Sequence, residues 1–240
     1  MATRGAARRI DIVFFDLGGT LLEERQFDLW IELAAEAGVR VDPDHLSHAY
    51  EEVKRATDVP SGRPTFEEFW RSVLARASEG EVPPEAAAEF LRQVEAAPGN
   101  LRLFSDARRC LEEIEALGLR RGVISNSRSE EGVRDHLARA GILDGLDPIV
   151  SSGTEGVAKP SRELFLRAAR RARVPPERAF YVGDLAFTDA KAAASAGFHS
   201  VWLNREGTGF GEDPPEITSL TELPGYLRLA GLVPSSAPVK

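Results

Sequence analysis

The sequence predicts an α/β fold: a parallel sheet covered by helices on both faces, with an all-helical segment inserted after its first strand. Three observations predict it. Residues 10–15 are nearly all β-branched or aromatic, a short apolar run without helical spacing that reads as a buried strand. For about eighty residues after it, apolar positions recur only at helical spacing. From Leu101 onward, helices and short strands alternate, which implies right-handed crossovers between parallel strands.

The opening strand stops at Asp16, and Gly18-Gly19 follow at once. Such an ending places the carboxylate at the sheet's carboxyl edge, where open α/β sheets bind ligands, and lets backbone amides approach an anion. The stretch alone reads equally well as a strand ending in a surface turn.

Four amphipathic helices are expected next. Phe27, Trp30, Ile31 and Ala34 share one face, and Gly38 stops that helix. Asp42 is placed to cap a second helix, with Pro43 at its first position and Leu46, Ala49, Tyr50 and Val53 on its apolar face. Thr65 and Glu68 have capping-box spacing ahead of Phe66, Phe69, Trp70, Val73, Leu74 and Ala77. After Pro83-Pro84, Ala87, Phe90, Leu91 and Val94 mark the fourth helix. Together these suggest a small bundle, with its aromatic positions in the core rather than in a pocket. Residues 58–64, with two prolines and a glycine, read as a loop.

In the second half, Ser105 is placed to cap a helix running to Gly118, and residues 121–125 form a strand followed by Asn126. A helix runs from about Glu130 to near Gly141, and residues 148–151 form a weak strand. Ser161 caps a helix whose face holds Leu164, Phe165 and Ala168. Residues 179–182 form a strand ending in Gly183-Asp184, the Ala-rich stretch 187–196 a helix, and residues 200–203 the next strand. The expected division is an α/β core of residues 1–21 and 99–240 and a helical insertion of residues 22–98.

Composition narrows the function. A chain of 240 residues with 42% apolar content can bury a substantial core. A net charge of −8 argues against nucleic acid, which favours a basic footprint, but not against small anionic substrates, for which local charge decides. The lone Cys110 has no disulfide partner, so a reducing cytoplasm fits, and it lies in line with Ala107, Ile114 and Leu117 on an apolar helix face. No apolar run approaches membrane-spanning length. Arg4, Arg8 and Arg9 precede no apolar signal core and read as a solvated arm; residues 234–240 read as a frayed end. Gly207-Thr208-Gly209-Phe210-Gly211 lacks dinucleotide spacing and reads as a loop near the site. The four histidines show no metal-ligand spacing, and no Ser-His-Asp arrangement is suggested. Nothing in the sequence reports the oligomeric state.

Asp16, Ser125 and Asp184 each close a predicted strand of one parallel sheet, so they converge on one edge. Lys159 precedes a helix in Gly156-Val157-Ala158-Lys159-Pro160, and Asp189 follows Asp184 near the start of another. Each has a plain alternative: Ser125 as a turn cap, Asp189 as a helix-dipole partner, Lys159 as a solvated surface residue. Several carboxylates at one edge repel without a cation, and such an oxygen-rich site suits Mg²⁺. A carboxylate there can act as nucleophile, with the metal and Lys159 offsetting charge on a phosphoryl group.

The pattern resembles the haloacid dehalogenase-like superfamily of phosphohydrolases. Its first motif is matched by Asp16-Leu17-Gly18-Gly19-Thr20-Leu21, the second by Ile124-Ser125-Asn126, and the third by Lys159-Pro160. The fourth is matched by Gly183-Asp184 with Thr188-Asp189. Order and spacing agree from Ile10 to about Leu203. The resemblance implies a three-layered, Rossmann-like core with a helical cap inserted after the first motif. It implies that Asp16 is the nucleophile and forms an aspartyl-phosphate, and that Asp16, Asp184 and the carbonyl of Gly18 bind Mg²⁺. Ser125 and Lys159, with Gly18, Gly19 and Asn126 around them, would hold the phosphate. Asp189 would orient Lys159 or a metal-bound water.

One position departs from the family pattern. The usual phosphatase has a second Asp two residues after the nucleophile, acting as general acid and base; here that position is Gly18. Members lacking it include dehalogenases, phosphonatases and slow-turnover pumps. Gly183-Asp184 looks like the metal-binding form of the fourth motif, which disfavours a dehalogenase. The helical insertion offers only Lys54 as a Schiff-base lysine, in surroundings unlike the phosphonatase motif. Glu23, Glu24 or a metal-bound water are candidate substitutes for the missing acid. The expected function is a Mg²⁺-dependent phosphatase of a small phosphorylated metabolite. A phosphate-binding module with lost or very slow turnover, and a phosphoryl transferase or mutase, are the alternatives.

Overall fold

The structure, a computed structural model, describes residues 10–23, 27–58, 64–96, 101–207 and 214–234. The basic arm at Arg4, Arg8 and Arg9, most of the 58–64 loop, Glu24, residues 208–211 and the end beyond Pro234 lie outside these. The chain divides into two compact units, residues 1–23 with 102–240, and residues 24–101.

The larger unit opens with β1 (Ile12–Phe15), every residue of it buried. A short β2 (Leu22–Glu23) follows. The smaller unit then supplies α1 (Phe27–Glu36), α2 (Pro43–Ala56), α3 (Phe66–Ala77) and α4 (Pro84–Ala96). The chain returns through β3 (Arg102–Leu103) and α5 (Ala107–Ala116) to β4 (Arg120–Ser125). Then come α6 (Glu130–Arg139), β5 (Leu146–Ser151), α7 (Ser152–Glu155) and α8 (Arg162–Ala172). β6 (Ala179–Gly183) leads into a π-helical turn at Ala186–Lys191, α9 (Ala192–Ser195) and β7 (His199–Leu203). β8 (Glu216–Ile217) and α10 (Leu223–Leu229) close the fold.

Among the described residues, six strands form one parallel sheet in the order β5-β4-β1-β6-β7-β8. β1 lies between β4 and β6, with Phe15 opposite Val123 on one side and Val182 on the other. From β1 the chain fills one side of the sheet and then crosses to the other, so the switch point falls at β1. Right-handed crossovers put α5 and α6 on one face and α8 and α9 on the other. Ile12 and Phe14 pack with Ile124, Leu164, Phe165 and Ala193. Alternation turns Val13 and Phe15 to the opposite face. This is the parallel sheet covered on both faces that the alternating pattern predicts, and the three-layered, Rossmann-like α/β core that the family resemblance implies.

The smaller unit is a helical cluster built on its aromatic residues. Trp30 and Trp70 meet edge to face at 4.6 Å, and Tyr50 lies 5.0 Å from Trp30. Asp42 caps α2 through His45 N, and Thr65 with Glu68 forms the capping box of α3. Trp30, Tyr50, Trp70 and Phe90 are core, as their helical spacing implies, and Phe27 and Phe69 pack against them half-buried; Phe66, expected on the same face, is instead exposed because it sits in the first turn of α3 at the edge of the cluster.

Several boundaries differ from expectation. The units part after Glu23 and Leu101, not after Leu21 and residue 98. The reason is pairing: Leu22 and Glu23 join Leu103 and Arg102 in a two-stranded antiparallel ribbon too short to show in the sequence. The residue preceding α5 is Asp106 rather than Ser105, and its carboxylate makes no cap bond. The expected helix at 187–196 begins as a π-helical turn, in which Leu185 O accepts from both Asp189 N and Ala190 N.

Candidate active site

Asp16, Ser125 and Asp184 stand at the carboxyl ends of the adjacent strands β1, β4 and β6. Asp16 N donates to Val182 O at 2.9 Å, which locks the first residue beyond β1 against its neighbour. The next residues fold into a closed knot: Leu21 N and Leu22 N both donate to Leu17 O, at 2.9 and 2.8 Å, and Gly19 N donates to Leu22 O at 2.8 Å. Gly19 holds φ at 77°, a conformation glycine adopts without strain. Its amide is committed inside the loop, so Gly19 turns the chain rather than offering that N–H to an anion.

Lys159 is the hub. Its ammonium donates to Asp16 Oδ1 and Asp189 Oδ1, both at 2.6 Å, and to the Tyr181 hydroxyl at 2.9 Å. An ammonium has three hydrogens, and all three are engaged here. Lys159 therefore reaches a phosphate only by giving up one of these bonds. The plain reading of Lys159 as a solvated surface residue fails, since it is 4% exposed. Burial opposes its charge, but Asp16 and Asp189 outweigh this and hold its pKa above the ordinary lysine range.

Asn126 also serves Lys159. Its side-chain amide donates to Lys159 O at 2.9 Å and accepts from Lys159 N at 2.8 Å. Both ends of the amide clasp that backbone, so Asn126 sets the Lys159 loop rather than facing an anion. Ser125 Oγ lies 2.7 Å from Ser127 Oγ. Ser127 is a neighbour that strand periodicity did not single out.

Asp189 is fully buried. Its Oδ1 accepts from Lys159 and from Tyr181 OH at 2.9 Å, and its Oδ2 accepts from Leu185 N at 3.1 Å. The π-helical turn carries it inward, and Gly183 leaves the room: a Cβ there would lie 2.6 Å from Asp189 Oδ2. Tyr181 was invisible as a site residue because a tyrosine inside an apolar strand reads as core. Burial and the adjacent Asp189 push its pKa well above the usual phenol range, so it stays a neutral hydroxyl.

Carboxylate oxygens of Asp16, Asp184 and Asp189 lie within 4.8 Å of one another. Burial pushes the pKa of Asp16 up to about 7; Asp189 and Asp184 add to the rise, and Lys159 offsets part of it. All three carboxylates belong to this oxygen cluster, and Lys159 engages Asp16 and Asp189 within it.

Among the described residues, no helix is long and apolar enough to cross a membrane. Residues 10–197 match the haloacid dehalogenase-like hydrolase family. Haloacid dehalogenase-like hydrolase domain-containing protein 3 of Danio rerio is 30% identical over 234 residues, covering 90% of this chain and 96% of that protein. Glyceraldehyde 3-phosphate phosphatase of Methanothermobacter thermautotrophicus is 30% identical over 209 residues, covering 87% and 92%. The magnesium-bound HAD-hydrolase YfnB of Bacillus subtilis shares the fold with a TM-score of 0.69 at 20% identity, over 92% of this chain and 99% of that one. The chain that places Asp16, Lys159 and Asp189 in one buried cluster thus belongs to the haloacid dehalogenase-like hydrolases.

Proposed function

We propose that the protein is a Mg²⁺-dependent phosphatase acting on a small phosphorylated metabolite through an aspartyl-phosphate. One observation carries the reading: a buried carboxylate, Asp16, is held at the central strand's carboxyl end by Lys159, with Asp184 beside it. The glyceraldehyde 3-phosphate phosphatase relative and a phosphoserine phosphatase of Thermus thermophilus, 30% identical over 156 residues, favour phosphate esters. In this reading residues 24–101 are the family's cap, and substrate choice belongs to them.

Lys159 binds Asp16 Oδ1, which leaves Oδ2 as the attacking atom. Oδ2 forms a bond to phosphorus as the ester P–O bond breaks and the alcohol oxygen departs with the electron pair. Gly18 has no side chain to protonate that oxygen, so the alcohol takes its proton from solvent water, and the water consumed in the second step returns one. Water then attacks phosphorus, the P–O bond to Asp16 breaks, and the carboxylate and inorganic phosphate are released. Ser125 hydrogen-bonds the phosphoryl oxygens, and Asp189 and Tyr181 keep Lys159 in place. The donor set fits Mg²⁺, which takes oxygen ligands and is bound through one or two carboxylates plus phosphate. Asp16, Asp184 and the Gly18 carbonyl would hold it, and it would supply positive charge against the transferring group.

The test is release of inorganic phosphate from a panel of phosphate esters, with and without Mg²⁺, for the native protein and Asp16→Asn. Turnover is expected with Mg²⁺ alone and only with Asp16 intact. Turnover surviving Asp16→Asn or exhaustive chelation rules the mechanism out. Gly18 favours one second reading, a phosphate-binding module with very slow turnover; phosphate binding without ester turnover across the panel would establish it.

A further inference from the structure

Arg205 follows β7 at the same carboxyl edge and is absent from the four motifs. Its Nε donates to Gly19 O at 3.2 Å and its Nη2 to Thr20 O at 2.8 Å. Its other bonds go to Asp106, from Nη1 to Oδ2 at 2.8 Å and from Nη2 to Oδ1 at 3.1 Å. The guanidinium carbon lies 3.8 Å from the centroid of the Phe104 ring. Asp106 in turn accepts from Ser219 Oγ at 2.9 Å and Leu220 N at 3.0 Å. This explains why Asp106 makes no cap bond to α5.

An arginine beside a presumed phosphate site invites assignment as an anion ligand. The geometry argues otherwise. Four of its five N–H groups are engaged, its charge faces the Asp106 carboxylate, and one face is stacked on Phe104. What it holds is the backbone of the nucleophile loop. A peptide unit is planar and trans, so fixing the carbonyls of Gly19 and Thr20 fixes the direction of the next two amides. The knot's own bonds, from Leu21 N and Leu22 N to Leu17 O, give the loop its shape. Arg205 joins that shape to the segments at Asp106 and Ser219, both far from it in sequence.

We infer that Arg205 is a positioning residue for the loop entered by Asp16. By anchoring the carbonyls of Gly19 and Thr20 it holds the attacking carboxylate at reacting distance and contacts no substrate itself. The inference rests on Asp16 being the nucleophile.

The experiment compares native protein, Arg205→Ala, Arg205→Lys and Asp106→Asn. For Arg205→Ala, kcat on an aryl phosphate should fall by about 10–10²-fold, the scale of an ångström-sized misplacement. KM and inhibition by inorganic phosphate should change less than about threefold, because no phosphate contact is lost. Added guanidinium should restore part of kcat in Arg205→Ala. Arg205→Lys should stay impaired, since an ammonium lacks the planar fork. Asp106→Asn, which removes the charge partner while keeping its shape, should show a smaller kcat loss in the same sense and covers the case of Arg205→Ala failing to fold. Weakened phosphate inhibition matching the loss in kcat/KM would make Arg205 an anion ligand and overturn the inference. An activity-independent arm separates this from failure of the phosphatase reading. Amide hydrogen exchange across residues 17–22 should accelerate about tenfold or more in Arg205→Ala while β6 stays protected. Unchanged exchange in the folded variant overturns the inference whether or not the protein turns over phosphate esters.

Discussion

In the proposed phosphatase mechanism, the residue that most shapes the chemistry is the one without a side chain. Gly18 replaces the family's general acid and base, and general acid–base help is typically worth about 10²–10⁴-fold in rate. An enzyme lacking it should favour esters whose leaving oxygen needs little protonation, so aryl and acyl phosphates should outpace alkyl phosphates. The left-handed position in this loop is Gly19, not Gly18. Gly18→Asp should therefore fold, and should raise kcat on alkyl phosphates more than on aryl phosphates. Matched steady-state kinetics check this; no preferential gain on alkyl esters in the folded variant would mean that another residue already supplies the proton or that the pocket serves a different reaction, and would overturn Gly18 as a missing acid. Tyr181 makes a second prediction. Tyr181→Phe removes one bond each from Lys159 and Asp189 while keeping the ring that packs 5.0 Å from Phe165. A buried hydrogen bond to a charged group is worth about 1.5–3 kcal/mol. The variant should lose kcat by about tenfold, with a smaller change in KM. A native kcat would make the hydroxyl structural only.

At the scale of elements, the π-helical turn after β6 separates this site from an ordinary strand-to-helix turn. One i-to-i+5 bond, from Ala190 N to Leu185 O at 3.3 Å, widens the turn so that Asp189 points back to Lys159. The price is the contact with Gly183, where a Cβ would overlap the Asp189 carboxylate. Gly183→Ala should displace Asp189, slacken its bonds to Lys159 and Leu185 N, and lower kcat by about tenfold or more. Kinetics of the folded variant, confirmed by near-UV circular dichroism, decide it; a native kcat would show that the turn relaxes freely. In the helical unit, Thr65→Ala removes the hydroxyl half of the α3 capping box, the bond from Glu68 N to Thr65 Oγ1 at 3.2 Å, and leaves the backbone bond from residue 65 N to Glu68 Oε2 at 2.8 Å. Losing such a cap costs about 1 kcal/mol, readable as a lower urea midpoint.

Across the whole molecule, the Asp106–Arg205 pair ties together segments from four parts of the larger unit. Burial raises the Asp106 pKa, but the Arg205 bonds and charge, with Leu220 N and Ser219, outweigh it and hold it below the ordinary carboxylate value. A carboxylate with a depressed folded-state pKa contributes stability above its unfolded pKa, about 3.9, and loses it as pH falls through the lower folded value. Asp106→Asn should therefore cost about 1–3 kcal/mol near neutrality, and the gap should shrink as pH falls below the unfolded-state value of about 3.9. Denaturant unfolding at several pH values tests this. A pH-independent gap would mean that the loss is one of shape rather than charge.

The α/β core, the helical stretch between its first strand and the rest, and the gathering of Asp16, Ser125 and Asp184 at one edge were legible in the residues. Each follows from local periodicity and from the strand-end rule for parallel sheets, which need no knowledge of distant partners. Apart from Asp189 orienting Lys159, which the family resemblance implied, which donor meets which acceptor was not legible, because those pairings join residues far apart in the chain. Lys159 and Asp16 are 143 positions apart, and Arg205 and Gly19 186. Asn126, expected at a phosphate, clasps the Lys159 backbone; Gly19, expected to offer its amide, has it bound to Leu22. Tyr181, Arg205 and the π-helical turn carry no local signal, since burial and competition for a finite number of hydrogens are settled only when the whole sheet edge has assembled.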